Sequence, residues 1–443
     1  MSRLVLLLLL SVAWRAAAAT ASSQPEAEAC PDGMCYAYAE DLAAQQSLLQ
    51  HQVTFVGPHS AAPAPPRATP VPARRTQAAT GLVQARDVPR NQLPKAVVNL
   101  DLPPEQRWTD FYTANRDLFL SIIPSVEATE QKQPQEEVSA FARTIQLTPS
   151  DDEFLAELRG ISAAFNDTRG AFDRLLYGVA TYERGGVGLG GCTELLAAMP
   201  NGTMVHGRNL DVPDGATKQW DHIFDATYMR GGRPVFYATH FLGDVGVHTG
   251  FRVGAYSVAQ NQRPSVRDSD LNWKANREGG VLYTLFIRRM IQEVGSFQQA
   301  VRDLAQVNLM APMYFAVAGA RPWEGALITR DRGVGPSEPW NHVDTVAPQI
   351  NRWFLLQTND DIWEEPTDIR RPEGIRFVEE LGTAGVSMQG IQGIMSTIPI
   401  LNLMTVFTVV TRPDTNERWV YRGMDELLNV TAEMNLTAEG TNS

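Results

Sequence analysis

The chain is 443 residues long, 44% hydrophobic, and carries a formal net charge of −12. That length holds two or three average domains, or one large α/β domain with appendages, and the apolar share supplies a sizeable core. The acidic balance argues against nucleic acid as a partner, because nucleic-acid binders carry basic patches.

Residues 1–21 read as a secretory signal, with Arg3 as the positive start, Leu4–Val12 as the apolar core and an alanine-rich run to Ala21. That core is too short to cross a membrane, and no later run reaches the roughly 18 apolar residues needed. Glycosylation sequons at Asn166, Asn201, Asn429 and Asn435 agree with a luminal or extracellular route. Three cysteines are too few for a disulfide scaffold. Cys30 and Cys35 are spaced to close a small local loop, which leaves Cys192 odd: buried, or chemically used. Residues 22–95 form a segment rich in Pro and Ala. Over 57–95 it shows no apolar periodicity and reads as disordered or extended.

The ordered chain is predicted to start at Ala96, with a strand at Val97–Leu102 and prolines 103 and 104 opening a helix. Helices are predicted at 108–122, 152–165 and 170–181, which makes 96–191 mainly helical. Beyond it, strands are predicted at 192–199, 203–211, 235–242 and 251–260, then helices at 281–294 and 296–307. Further strands follow at 314–318, 325–329, 353–358 and 405–410, and a polar tail completes the 192–443 part. The apolar stripe Leu282–Ile291 reads as core, with an acyl pocket or a membrane-facing surface as alternatives. Arg288-Arg289 within it reads as a solvated edge or a contact to anionic lipid. No cluster has metal-ligand spacing, no cofactor motif is present, and the histidines lack the local signatures of a papain-like site.

The change from helices to strands falls at Gly190-Gly191-Cys192-Thr193. Asn201-Gly202 then signals a hairpin. A two-residue loop there pairs Pro200 with Thr203 and sets Cys192 opposite Asp211. The coincidence of the shift with the lone cysteine suggests a chain cut at Cys192. A free N-terminal cysteine holds a thiol of pKa about 8.5 and an amine of about 8 on one residue, so the amine serves as the local base. Asp211 would hold or orient that amine, and Arg208 would stabilise a thiolate or an anionic intermediate. Strict alternation places Arg208 on the face opposite Asp211, unless a bulge near Gly207 re-aims it. On the residues alone, a buried structural cysteine in a hairpin with a surface Arg and Asp is an equal alternative.

The spacing of Cys192-Thr193 to His206-Gly207-Arg208-Asn209-Leu210-Asp211 is reinforced by Asn99–Trp108, Thr249–Ser257, Ala311–Phe315, Glu324–Asp331, Gln357–Trp363 and Ser396–Asn402. Over roughly 96–425 the chain thereby resembles the acid ceramidase and N-acylethanolamine-hydrolysing acid amidase family of N-terminal-nucleophile hydrolases. The resemblance implies an α+β fold, an αββα sandwich with a helical N-terminal segment. It implies Cys192 as a nucleophile exposed by self-cleavage at Gly191–Cys192, giving an α subunit (96–191) and a β subunit (192–443). Arg208 and Asp211 match active-site residues, which favours the bulged arrangement. Asn359, otherwise a bland turn residue, matches an oxyanion-hole donor, and Arg370 matches an arginine near the active-site aspartate. The implied activity is hydrolysis of the amide of an N-acyl lipid, ceramide first, with N-acylethanolamines or an unprocessed lipid-binding relative as alternatives. Also implied are contact with a membrane surface, a lysosomal or secreted location, and neither cofactor nor metal. Two departures stand out: Gln262 replaces the family's glutamate, and Gly190-Gly191 replaces bulkier residues. No cysteine follows Cys192 to meet Cys30 or Cys35, so the two subunits are expected to be held non-covalently.

Overall fold

The computed structural model describes residues 93–119, 135–165, 171–180, 182–183, 191–212, 222–264, 268–333 and 341–423. The signal segment, the Pro/Ala-rich stretch up to residue 92, Cys30, Cys35, the C-terminal tail and the sequons at Asn166, Asn429 and Asn435 lie outside the described residues, while Leu93 is buried and Lys95 opens a strand, so order begins before Ala96.

Two β-sheets carry the described chain. The larger has the order β1 (Lys95–Asn99), β4 (Ile223–Arg230), β5 (Arg233–Phe241), β6 (Thr249–Arg252), β7 (Tyr256–Gln262), β8 (Met313–Gly319), β9 (Gly325–Arg330), β10 (His342–Thr345). The smaller has the order β11 (Phe354–Gln357), β2 (Thr193–Ala198), β3 (Met204–Asp211), β12 (Thr405–Arg412), β13 (Glu417–Arg422). Its central strands are buried on both faces, so they read as runs rather than alternations. Between the sheets, Leu196, Ala198 and Met204 interlock with Ala316, Ala318 and Leu327. On the outer face, Leu195, Ala197 and Val205 pack beneath helices α8 (Arg370–Gly385) and α9 (Met388–Met395) through Val378, Ile391 and Met395.

The outer face of the larger sheet is covered by α6 (Tyr283–Glu293) and α7 (Phe297–Gln306), through Leu285, Ile291, Ala300 and Leu304. The N-terminal helices α1 (Thr109–Ala114), α2 (Gln135–Thr144), α3 (Asp152–Ala164) and α4 (Ala171–Val179) share that core. A further helix, α5 (Ser269–Arg277), follows β7. The layers run helix, sheet, sheet, helix, as an α+β sandwich. The N-terminal part joins the sheet itself, because β1 pairs in parallel with β4.

The stripe 282–291 is core: Leu285, Ile287 and Ile291 are fully buried in α6. Of the arginines within it, Arg288 is buried and Arg289 is half-buried at the edge. Arg288 is buried against the rings of Tyr228 and Phe236, at 4.2 and 5.0 Å, and pairs with Glu157 of α3 at 3.2 Å. Arg289 pairs with Asp151 at 3.5 Å. The strand predicted at 251–260 is two strands, β6 and β7, turned at Gly254 with φ +69°.

The hairpin register differs by one residue from expectation. Ala198 pairs with Met204, and Met199 N donates to Thr203 O at 2.9 Å, so the loop holds three residues, Pro200 to Gly202. Gly202 takes φ +87°, and a Cβ there would lie 2.5 Å from Trp323 Nε1, so only glycine fits both the backbone and the neighbour. Asn201, exposed at the tip, accepts from Thr203 N through its side chain.

Candidate active site

Cys192 stands at the start of β2, 3% exposed, in an apolar cluster with Leu210, Ile223, Phe407 and Val409. Its Sγ lies 4.0 Å from the carbonyl oxygen of Asp211. The backbone of the same residue is held from two sides. Its N donates to Asn359 Oδ1 at 2.7 Å, and its carbonyl accepts from Arg370 Nη1 at 2.8 Å. Burial pushes the thiol up, against the pull of Arg208 toward the thiolate.

The slipped register sets Glu194 directly opposite Arg208 on the face between the sheets. Arg208 Nη1 donates to Glu194 Oε1 and to Asn261 Oδ1 of β7. The other Glu194 oxygen meets His206 Nε2 at 2.8 Å, and His206 Nδ1 meets Ser257 Oγ at 2.8 Å. Burial opposes the charge of Arg208, yet Cys192 and Glu194 beside it hold the guanidinium above its usual range. Its Nε and Nη2 are buried and have no hydrogen-bond partner among the described residues. Orphan donors of this kind in a buried guanidinium leave hydrogen-bonding capacity that an anionic group could take up.

On the other side of Cys192, Arg370 opens α8 and gathers the remaining groups. Its Nη2 donates to Asp368 Oδ2 at 2.6 Å and to Asn359 Oδ1 at 3.2 Å. Its Nη1 lies 3.6 Å from Asp211 Oδ2, which also accepts from Asn402 Nδ2 at 2.9 Å. Burial raises the Asp211 carboxyl to about 6, although Arg370 and Asn402 pull it down. The glycine before Cys192 has a steric reason here: a Cβ on Gly191 would lie 2.7 Å from Arg370 Nη2.

Cys192, Asp211, Asn359 and Arg370 therefore form one connected cluster, and the charge of Arg208 acts on the thiol as well. Three expectations need correction. Cys192 does not face Asp211 across the ladder, because the three-residue loop shifts every pair by one and brings Leu210 opposite instead. No bulge sits near Gly207, whose pairing with Leu195 is regular; its missing side chain makes room for Ile391 and Met395 at 2.7 and 2.8 Å. The irregularity is on β12 between Thr405 and Phe407, facing Asp211. Finally, the amide nitrogen of Asn359 donates to Gln262 O at 2.8 Å, while its oxygen faces Cys192 N. Two donors on Oδ1 fix that orientation, so Asn359 holds the Cys192 backbone nitrogen and its own N–H is taken by Gln262.

Glu194, Asn261 and Asn402 belong to the site and were not singled out from sequence. Glu194 was the findable one, since two residues beyond Cys192 on a strand is the same face. Among the described residues, no helix is long and apolar enough to cross a membrane.

A family model described as the beta subunit of N-acylethanolamine-hydrolyzing acid amidase matches residues 91–145. The N-acylethanolamine-hydrolyzing acid amidase of Rattus norvegicus is 30% identical over 323 residues, covering 71% of this chain and 84% of that protein. The acid ceramidase of Bos taurus is 27% identical over 353 residues, covering 72% and 84%. A solved Caenorhabditis elegans N-acylethanolamine-hydrolyzing acid amidase ortholog aligns with 28% identity and a TM-score of 0.47, over 52% of this chain and 99% of that one.

Proposed function

The chain belongs to the family that holds N-acylethanolamine-hydrolyzing acid amidase and acid ceramidase and is an amide hydrolase, and on that premise we propose that it hydrolyses N-acyl lipids, ceramide foremost, after freeing Cys192 by self-cleavage. The observation that carries the reading is the grip on the Cys192 backbone. An ordinary cysteine nucleophile needs only its thiol held, yet here Asn359 takes the nitrogen and Arg370 the carbonyl oxygen. That arrangement has a purpose if the nitrogen is to become a working amine.

In the cut, Sγ attacks the Gly191 carbonyl carbon, and the Cys192 nitrogen leaves it carrying a proton. Water then hydrolyses the thioester to a Gly191 carboxylate and a free thiol. In turnover the amine accepts the thiol proton, the thiolate attacks the substrate amide carbonyl, and the departing amine takes that proton. Water, deprotonated by the Cys192 amine, releases the fatty acid and restores the thiol. Asn359 Oδ1 steadies the amine. Arg208 supports the thiolate and offers Nε and Nη2 to the charge that develops on the carbonyl oxygen. Asp211, with Arg370, fixes the polarity beneath the amine. The two chains stay together without a disulfide, in an acidic lumen or outside the cell, and the enzyme meets its lipid at a membrane surface.

A second substrate reading, N-acylethanolamines, draws on the 30% identity to the amidase relative. Both readings are tested by N-terminal sequencing and intact mass at acidic pH beside Cys192→Ala, followed by turnover of a ceramide and an N-acylethanolamine with the same acyl chain. The expected result is a chain starting at Cys192, absent from the variant, and faster ceramide turnover. A wild-type chain that stays whole makes the protein an unprocessed lipid-binding relative instead.

A further inference from the structure

The end of β7 in the larger sheet lies along the turn that follows β11 in the smaller one, and the contact is made residue by residue. Asn261 Nδ2 donates to Thr358 O at 3.0 Å, and Gln262 O accepts from Asn359 Nδ2 at 2.8 Å. Arg263 completes the set with a two-pronged ion pair. Its Nε and Nη2 donate to Asp361 Oδ1 and Oδ2 at 2.7 and 2.8 Å. A planar guanidinium on a planar carboxylate fixes direction as well as distance, which a lysine cannot do.

The chemistry above makes no use of this pair, yet Arg263 and Asp361 are both buried. The Tyr314 hydroxyl of β8 donates to Asp361 Oδ1 at 2.5 Å, and the guanidinium sits over the rings of Tyr314 and Trp363, at 5.9 and 5.8 Å. From α8, Arg371 donates through Nη1 to the carbonyl oxygen of Asp361 at 2.8 Å; its neighbour Arg370 is the residue that holds the Cys192 carbonyl. The turn is therefore gripped on both sides of Asn359, at Thr358 by Asn261 and at Asp361 by Arg263 and Arg371. Asn359 lies between, with its amide N–H taken by Gln262 O, which leaves its Oδ1 on Cys192 N at 2.7 Å. Any shift of the turn moves that oxygen.

We propose that Arg263 and Asp361, completed by Tyr314, are positioning residues for the amide hydrolysis: they set Asn359 Oδ1 on the Cys192 nitrogen, which is a peptide N–H before the cut and an amine after it. They act through Asn359, and the inference rests on the amidase reading above. It carries a direction. An oxygen that accepts from the amine favours the amine's charged form, so loosening that contact lowers the amine's pKa. Turnover needs the neutral amine as base. The acid limb of the pH profile then moves to lower pH, while the amine is aimed less well and kcat falls.

Variants separate aim from stability. Arg263→Lys keeps the charge and loses the fork, and Tyr314→Phe removes one hydroxyl and no charge. Arg263→Met combined with Asp361→Leu replaces the pair by apolar groups, a change that buried ion pairs commonly tolerate. For each, the chain starting at Cys192 is followed by mass and the thermal midpoint is recorded. Then kcat and KM for an N-acyl amide, per processed chain, are measured across pH. We expect kcat to fall about tenfold in Arg263→Lys and in the apolar pair, and about threefold in Tyr314→Phe. KM should hold within about twofold, and the acid limb should move to lower pH even where the thermal midpoint is kept. A variant that folds at the wild-type midpoint but stays whole also supports the role, because the same oxygen holds the departing nitrogen. Wild-type kcat and acid limb in every variant that folds overturn the role and leave the amidase reading intact. So does a loss of kcat that merely tracks the thermal midpoint while the acid limb stays in place. A wild-type chain that stays whole or turns over no N-acyl amide overturns the amidase reading, and this inference with it.

Discussion

Asp211 is the residue whose environment and chemistry are most tightly coupled. Its carboxyl is buried, bonded by the Asn402 amide and the Thr405 hydroxyl and approached by the guanidinium groups of Arg370 and Arg208, and burial prevails to give a value of about 6 against an ordinary 3.8. A raised folded-state value means the native protein binds the proton more tightly than the unfolded chain does. The associated stability is therefore fully present below about pH 4 and is lost as pH rises through about 6. The full span is about 3 kcal/mol. Asp211→Asn cannot titrate, so urea midpoints measured between pH 4 and 7 should fall with pH in the wild type and stay flatter in the variant. Parallel curves would place the proton elsewhere. This residue and Arg208 were legible because they lie on the strand that follows the lone cysteine. Asn359 and Arg370 were legible only through resemblance, since nothing local distinguishes an Asn at a strand end or an Arg at a helix start. Glu194, Asn261 and Asn402 earn their place through contacts across strands and between sheets, which a linear reading does not display.

At the level of elements, β3 carries the site because its two faces do different work. His206 and Arg208 look into the space between the sheets, while Gly207 and Asn209 look toward α9, where Asn209 Nδ2 donates to Met395 O at 2.9 Å and Ile400 O at 3.0 Å. Gly207→Ala would press a methyl into Ile391 and Met395, overpacking worth about 1–3 kcal/mol. It should lower the thermal midpoint; an unchanged midpoint would mean that α9 yields freely. Strands made of long apolar runs, such as β8 and β9, the largely buried helix α3 and the amphipathic helices α4, α6 and α7 matched expectation within two residues. The elements that escaped were β4, β10 and β13, whose apolar runs are broken by polar residues, the polar helices α2 and α5, and α8 and α9, where glycines at 374, 385, 390 and 393 mask the helical period. These glycines have a packing reason at Gly374 and Gly390, where a Cβ would lie 2.6 Å from Leu356 and 2.3 Å from the Gly385 carbonyl.

Over the whole molecule, the N-terminal part is fastened to the rest of the chain by β1 beside β4 and by a buried ionic cluster at α6. Glu157 of α3 accepts from Trp108 Nε1 at 2.7 Å and pairs with Arg107 at 2.8 Å and Arg288 at 3.2 Å, all within the core. Arg288→Met leaves that carboxylate with less compensation and should destabilise by about 3 kcal/mol. In processed protein this should show as earlier separation of the two chains in urea on a sizing column, whereas co-elution at the wild-type midpoint would make the pair dispensable. The strand β1 gives the attachment a further consequence. While the chain is whole, laying residues 95–99 beside β4 is a loop closure, whose entropy grows only slowly with length. After a cut at Cys192 the same pairing joins two separate molecules and must be found by diffusion, at a rate set by concentration. Folding and maturation would then be ordered in time, with the single chain able to regain its structure and the mature pair not. The mature enzyme's working life would be set by how slowly it comes apart rather than by how readily it forms.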